Sequence, residues 1–280
     1  MKAVINKIIP FSSVDGPGNR TAVFLQGCNI NCKYCHNPET RGMCQQCGIC
    51  VKNCPVGALT IGEMGNIIYD EKKCMECDTC IHVCPHDSSP RTYTLSVEEV
   101  YQKVKKQIPF IRGITVSGGE CMLRPDFLKE LFILAKKDGL TTLIDTNGTI
   151  SFEEQEDLLE VTDGVMIDIK AFDNAEHQKI TDVSNEIVLK NTAYLAERKK
   201  LYEVRAVIVP DLYDTMESVK NMGMFLSQFL PYGSFRIKLI AYRPIGVREE
   251  YRTFEIPSRT YLEELEEILK GMGFQEIIII

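Results

Sequence analysis

Twelve cysteines stand in this 280-residue chain, and eleven of them fall between Cys28 and Cys84, leaving only Cys121 outside. Thiols grouped at gaps of two and three residues serve as disulfides or as metal ligands, and the redox compartment separates the two readings. The N-terminal stretch MKAVINKIIPF carries no apolar core followed by a cleavage site, which predicts a cytoplasmic protein with reduced thiols. Metal ligation is therefore the expected use. The longest apolar runs, such as Ile277–Ile280, fall far short of the roughly 18 residues of a membrane span. Lys and Arg number 32 against 39 Asp and Glu, a net charge of −7, which argues against a nucleic-acid partner.

Two segments share one spacing: Cys44-x-x-Cys47-x-x-Cys50-x-x-x-Cys54-Pro55, and Cys74-x-x-Cys77-x-x-Cys80-x-x-x-Cys84-Pro85, offset by 30 residues. Soft thiolates suit iron–sulfur clusters or zinc. Zinc usually takes its four ligands as two separated pairs, unlike these triplets. The repeat resembles the bacterial ferredoxin run, in which three close thiolates hold one four-iron four-sulfur cluster and the fourth crosses to its neighbour. That resemblance implies one cluster on Cys44, Cys47, Cys50 and Cys84, and a second on Cys74, Cys77, Cys80 and Cys54. The segment 41–90 around them is rich in Cys and Pro and poor in amphipathic periodicity, so metal would replace a hydrophobic core.

The remaining group, Cys28-x-x-x-Cys32-x-x-Cys35, offers three thiolates and no evident fourth. Three ligands on a four-iron cube leave one iron open, which is what a catalytic metal needs. The competing reading is a zinc site completed by His36 or His177. With Tyr34 before its last cysteine, the motif resembles the radical S-adenosylmethionine (SAM) superfamily. Its flanks, Asp15-Gly16-Pro17-Gly18-Asn19-Arg20, Phe24-Leu25-Gln26-Gly27 and His36-Asn37-Pro38, are similar to the activating enzymes of glycyl radical enzymes. The members with an eight-cysteine insert, and within them the YjjW-type activases, are the nearer match. The resemblance implies three four-iron four-sulfur clusters, SAM, a glycyl radical enzyme as protein substrate, and a flavodoxin- or ferredoxin-type electron donor.

Without the insert, about 230 residues remain, which suits an α/β barrel or part of one. Strands are predicted over 21–26, 111–116, 141–144, 165–169, 203–209 and 236–240, and the last Ile run could add another. Helices are predicted over 96–107, opened by the capping box Ser96-Val97-Glu98-Glu99, and over 125–137, 152–160, 186–198, 215–229 and 258–269. Six strands with crossover helices imply a parallel sheet. The expected fold is α/β: a partial (β/α)6 barrel of TIM type formed by 1–40 and 91–280, with a ferredoxin-like two-cluster insert at 41–90. Each polar motif follows or closes a predicted strand: Cys28; Ser117-Gly118-Gly119-Glu120; Asp145-Thr146-Asn147-Gly148; Asp168-Ile169-Lys170, which closes the fourth; Pro210-Asp211; and Tyr242-Arg243-Pro244. Strand C-termini are where parallel α/β folds build active sites, whereas chance would scatter the motifs to both ends.

Gly118 and Gly119 allow close backbone approach, and Glu120 offers a carboxylate to an ammonium group. In the resembled family this motif holds the SAM amine, while Tyr34 and His36 flank the last cysteine near the adenine. Asp168 and Lys170 share a strand face, and the family's similar Asp-x-Lys implies SAM positioning by Asp168-Ile169-Lys170. A monovalent cation at Asp145, Thr146 and Asp168 is implied by relatives, as is a meeting of Asp15–Gly18 with the protein substrate. Two departures stand out: Cys121 reads as an inert buried thiol, and Arg243 stands where relatives place a ribose-contacting His. Arg can donate hydrogen bonds but not accept them. Two rival functions are a different radical SAM enzyme with auxiliary clusters, and a non-catalytic ferredoxin-like electron carrier. The carrier would leave Cys28, Cys32 and Cys35 without a role.

Overall fold

Runs of β-branched residues followed by a polar turn and an amphipathic helix recur along the chain, and each run becomes a strand of one sheet. The computed structural model describes residues 1–280. The chain opens with β1 (Lys2–Ser12), antiparallel to β2 (Arg20–Leu25). An excursion follows, containing α1 (Ile49–Asn53), the hairpin β3 (Leu59–Ile61) and β4 (Ile67–Tyr69), and α2 (Thr79–His82). The chain then returns as β5 (Tyr93–Ser96), antiparallel to β1. From here helices and strands alternate: α3 (Val97–Lys105), β6 (Gly113–Gly118), α4 (Pro125–Lys137), β7 (Thr141–Thr146), α5 (Glu156–Glu160), β8 (Gly164–Asp168), α6 (Asn174–Thr181) and α7 (Glu186–Glu197). The rest is β9 (Leu201–Ile208), α8 (Thr215–Ser227), β10 (Arg236–Ala241), α9 (Arg259–Gly271) and β11 (Ile277–Ile279).

The nine-stranded sheet runs β11-β10-β9-β8-β7-β6-β2-β1-β5. From β2 through β11 every pairing is parallel. The sheet does not close on itself, since β5 and β11 are its edges. It is nevertheless curved, because one cavity is lined by residues of β6 through β10 together with the loop after β2. This is a mixed α/β fold built on the expected parallel sheet. Two antiparallel strands that the hydrophobic pattern does not predict, β1 and β5, extend it.

Helices pack their apolar faces on the sheet around a core of 44 buried residues. In α3 the predicted capping box forms: Glu99 N donates to Ser96 Oγ and Ser96 N to the Glu99 carboxylate. Its Val97, Val100, Tyr101 and Val104 are buried. The excursion's own core cluster has only three buried residues, Cys50, Leu59 and Cys80, too few to hold a fold without another cross-link. Its neck closes where Gly42 N bonds Asp87 O and Ser89 N bonds Glu39 O. The 30-residue repeat is also a repeat of backbone: Gln46 and Glu76 have φ 57° and 54°, and Gly48 and Asp78 have 75° and 58°.

Three local expectations are corrected. The helix predicted over 152–160 begins only at Glu156, because the Asn191 side chain accepts a hydrogen bond from Phe152 N and holds that segment in a turn. The polar helix α6 has no counterpart in the predicted elements. The terminal isoleucines, an apolar run that exposure would make an aggregation hazard and that is therefore expected to be buried, form the parallel edge strand β11: its residues are half-buried and Ile280 is exposed.

Candidate active site

Cys28 leaves the end of β2 in a turn tied down by the bond from its N–H to Arg41 O, 2.9 Å. The cysteine loop is held from the other side by α6: Asn31 N bonds Thr181 O and Lys33 N bonds Ile180 O, both at 3.0 Å. The unpredicted helix is thus the part that fixes the loop. Cys28, Cys32 and Cys35 all line a cavity of about 290 Å³ at the C-terminal ends of the parallel strands. Burial pushes the Cys28 thiol up to about 11 and Cys32 up to about 12, so both are protonated when free. Iron coordination would have to displace those protons.

The same cavity takes in Tyr34, His36, Gly118, Gly119, Asp145, Asp168 and Lys170. Gly118 has φ +128°, and a Cβ there would lie 2.2 Å from Leu25 O; at Gly119 it would lie 2.3 Å from Gly27 O. Both positions require glycine, because β2 and β6 touch backbone to backbone beside Cys28. Tyr34 is buried in a separate apolar cluster with Tyr213 and Tyr242, and its hydroxyl reaches Lys170 O at 3.4 Å. Lys170 Nζ pairs with Asp168 at 2.7 Å. Against burial, which opposes its charge, the Asp168 carboxylate and the cysteines hold the Lys170 ammonium well above its ordinary range.

Three predicted contacts lie elsewhere. Ile169 is a core residue outside the cavity. Glu120 is buried, outside the cavity lining, with its carboxylate held by Met122 N (2.8 Å), the Thr146 hydroxyl (2.8 Å) and Asn147 N (2.7 Å). Burial pushes Glu120 up to about 7. It therefore shapes the β7 turn rather than facing an ammonium group. Arg243 is exposed and outside the cavity, because its neighbour Tyr242 turns inward and bonds Tyr251 O.

Three residues unassigned by the sequence pattern do face the site. Arg248 returns to it after the Gly246 turn packs on His36 O, and its Nη2 bonds Cys32 O at 3.1 Å. Asn147 directs its side-chain amide toward Cys28 Sγ (3.7 Å) and Asn29 Oδ1 (3.1 Å). Arg205 pairs with Asp145 at 2.9 Å. Burial, partly offset by Arg205, leaves the Asp145 carboxyl above its usual range. A cation at Asp145, Thr146 and Asp168 would share Asp145 with Arg205 and Thr146 with Glu120. Position within a known motif could have flagged Asn147, but nothing in the spacing marks Arg248.

The chemistry of the cavity fits a polar ligand beside a cluster. Five buried side-chain atoms lack a hydrogen-bond partner, and three of them, Asn31 Oδ1, His36 Nε2 and Arg248 Nε, belong to residues lining this cavity. No three His, Cys, Asp or Glu side chains converge as one metal ion requires. His177, the alternative zinc ligand, is buried with Nδ1 on Val183 O. The insert thiols likewise surround voids: Cys54, Cys74, Cys77 and Cys80 line one, and Cys44, Cys47, Cys50 and Cys84 another. These are the two crossed sets implied by the repeat. Cys121 is buried, with its thiol on Asp145 O. Of the Asp15–Arg20 run, Arg20 is buried and bonds Thr115, Ile114 O and Thr141, bolting β2 to β6 and β7, while Thr115 holds Asp15 O.

Three thiols line one cavity at the ends of the parallel strands, and residues 22–223 match the Radical SAM superfamily model, which makes this a radical SAM protein. The chain is 29% identical to the indoleacetate decarboxylase activating enzyme of Tractidigestivibacter scatoligenes, across 99% of this chain and 98% of that protein. It is 30% identical to the choline trimethylamine-lyase activating enzyme of Oleidesulfovibrio alaskensis, across 88% and 85% respectively. A solved domain of the pyruvate-formate lyase-activating enzyme from Bacteroides vulgatus matches with a TM-score of 0.52 and 26% identity, covering 60% of this chain and 98% of that domain. The chain therefore belongs to the radical SAM superfamily, and within it to the glycyl-radical-enzyme activating enzymes. No helix is long and apolar enough to cross a membrane.

Proposed function

We propose that this enzyme generates a glycyl radical on a partner enzyme under anaerobic conditions, using a SAM-binding cluster on Cys28, Cys32 and Cys35 and two further clusters in the insert. The observation that carries the reading is the cavity at the strand ends, where three thiols meet three side chains that each keep one buried polar atom unpartnered. A cluster held by Cys28, Cys32 and Cys35 would supply, together with SAM, the one-electron reductive chemistry that moves the glycine hydrogen onto the deoxyadenosyl group of SAM.

The chain's own residues bind, orient and exclude water. Asp168 and Lys170 form a fixed ion pair for the polar groups of SAM, His36 offers an unmatched ring nitrogen, and Arg248 Nε offers the guanidinium donor that the position of Arg243 suggested. Asn147 donates toward the Cys28 sulfur, and Tyr34 closes the floor. The Asp15 turn is held in place, with its carboxylate on the Ser12 hydroxyl and its carbonyl on the Thr115 hydroxyl of β6, which supports a role for its loop in meeting the substrate glycine segment. The electron would come from a flavodoxin- or ferredoxin-type donor in the cytoplasm.

The test is anaerobic mixing of the reconstituted enzyme, a reductant, SAM and a candidate glycyl radical enzyme. A protein-based glycyl radical by EPR, lost with Cys28→Ser, is the expected result. SAM consumption without a radical on any glycyl radical enzyme offered would refute the assignment of substrate.

A further inference from the structure

The two halves of the insert repeat in spacing and backbone but not in chemistry. At the 30-residue offset, Thr79 corresponds to Ile49, Arg91 to Ile61, and Asp78 to Gly48. These differences fall on the sulfurs. Around the void of Cys54, Cys74, Cys77 and Cys80, three sulfurs have a hydrogen-bond partner. Ala58 N donates to Cys54 Sγ (3.2 Å), Glu76 N donates to Cys74 Sγ (3.4 Å), and the Thr79 hydroxyl lies 3.3 Å from Cys77 Sγ. A ligating thiolate has no proton, so in that state the hydroxyl is the donor. Arg91 and its counter-ion Asp78, paired at 2.6 Å, line the same void.

Around the void of Cys44, Cys47, Cys50 and Cys84, no sulfur has a hydrogen-bond donor, and the Ser88 hydroxyl that lines it is buried and unpartnered. Three donors and a guanidinium on one side therefore face no bonded donor on the other. Hydrogen bonds to cluster sulfurs stabilise the added negative charge of the reduced state and raise its potential.

The two halves also differ in their distance along the fold from the SAM site. Residues just before Cys44 and just after Cys84 abut the Cys28 turn: Arg41 O holds Cys28 N, Gly42 N bonds Asp87 O, and Met43 Sδ lies against Gly27. The other void opens toward Tyr69 and Arg91, which border a groove shared with Asn6 and Tyr93 at the β1–β5 edge.

We propose that the insert holds an inequivalent pair of clusters. The one on Cys54, Cys74, Cys77 and Cys80 has the higher potential and fills first. The one on Cys44, Cys47, Cys50 and Cys84 is the stronger reductant and stands next to the SAM site. Each takes up one electron, with no bond made or broken, from a reductant such as titanium(III) citrate in the titration below. The proposal rests on the two-cluster reading of the insert.

The experiment is a potentiometric titration of the reconstituted holoenzyme followed by EPR, with Cys47→Ser and Cys77→Ser used to assign each signal. Two midpoints are expected, separated by at least a tenfold difference in reduction equilibrium, about 59 mV for a one-electron couple. The signal lost in Cys77→Ser should be the higher. Thr79→Ile should lower that midpoint, and Ile49→Thr should raise the other, with iron and sulfide content unchanged. Coincident midpoints, a reversed order, or no response to either exchange in a protein carrying about twelve irons would overturn the inequivalence alone. About four irons per chain would overturn the two-cluster reading and this proposal with it.

Discussion

Replacing Gly119 with alanine probes the tightest joint of the site. The new methyl would lie 2.3 Å from Gly27 O and 2.7 Å from Thr40 O, both main-chain atoms that cannot rotate away. Relief requires a shift of about 1 Å, since ordinary carbon–oxygen contact begins near ~3.4 Å. That shift pulls on two hydrogen bonds of 2.8 Å, Glu120 N to Gly27 O and Gly27 N to Thr40 O. Each is worth about 1 kcal/mol net, and leaving a buried group unpaired costs roughly 1–3 kcal/mol, so the substitution should cost about 2–5 kcal/mol. Against a total of roughly 5–15 kcal/mol this is a large loss. Anaerobic urea unfolding would measure it, and iron content would show whether the displaced Cys28 turn still holds its cluster. Unfolding within about 0.5 kcal/mol of wild type, with full iron, would refute the reasoning.

Gly271→Ala is the matched control: no atom lies within 4 Å of its Cβ position and it ends α9, so stability should be unchanged or higher by up to about 1 kcal/mol in the same assay. Lys170→Met strips Asp168 of its partner, where the side chains are 13% and 23% exposed. It should cost about 3 kcal/mol in urea unfolding and weaken SAM binding by equilibrium dialysis. His177 donates through Nδ1 to Val183 O while its Nε2 is buried without a partner, and burial holds its pKa below 6.5. A depressed histidine contributes stability that is full above its unfolded pKa and is lost as pH falls. Wild type should therefore weaken between about pH 7.5 and about pH 5.5 more steeply than His177→Gln, read by thermal unfolding.

The six central strands are legible in the sequence because each is an apolar run ending in a polar motif, and burial on both faces demands that pattern. β1 is not legible: Lys2, Lys7 and Pro10 interrupt its alternation, and the strand forms because β2 and β5 flank it. α6 is short and polar; only Asp173, which caps Glu176 N, announces it. The grouping of the insert cysteines around two voids was legible because their spacing repeats at a 30-residue offset. The cationic contact was not, since Arg243 and Arg248 lie on one loop and only the inward turn of Tyr242 and the packing of Gly246 decide which reaches the cavity. Glu120 illustrates the same limit: its position in the motif is readable, whereas the three donors that turn it away belong to neighbouring turns.

The central claim is that Cys28, Cys32 and Cys35 serve SAM cleavage. Its most direct test is the amount of 5′-deoxyadenosine released by the anaerobically reconstituted and reduced protein, with Cys28→Ser measured beside it. The account predicts product from the wild type and none from the variant, with the insert clusters still present in both. Equal product from the two, or none from a wild type carrying all its clusters with a glycyl radical enzyme present, would contradict it.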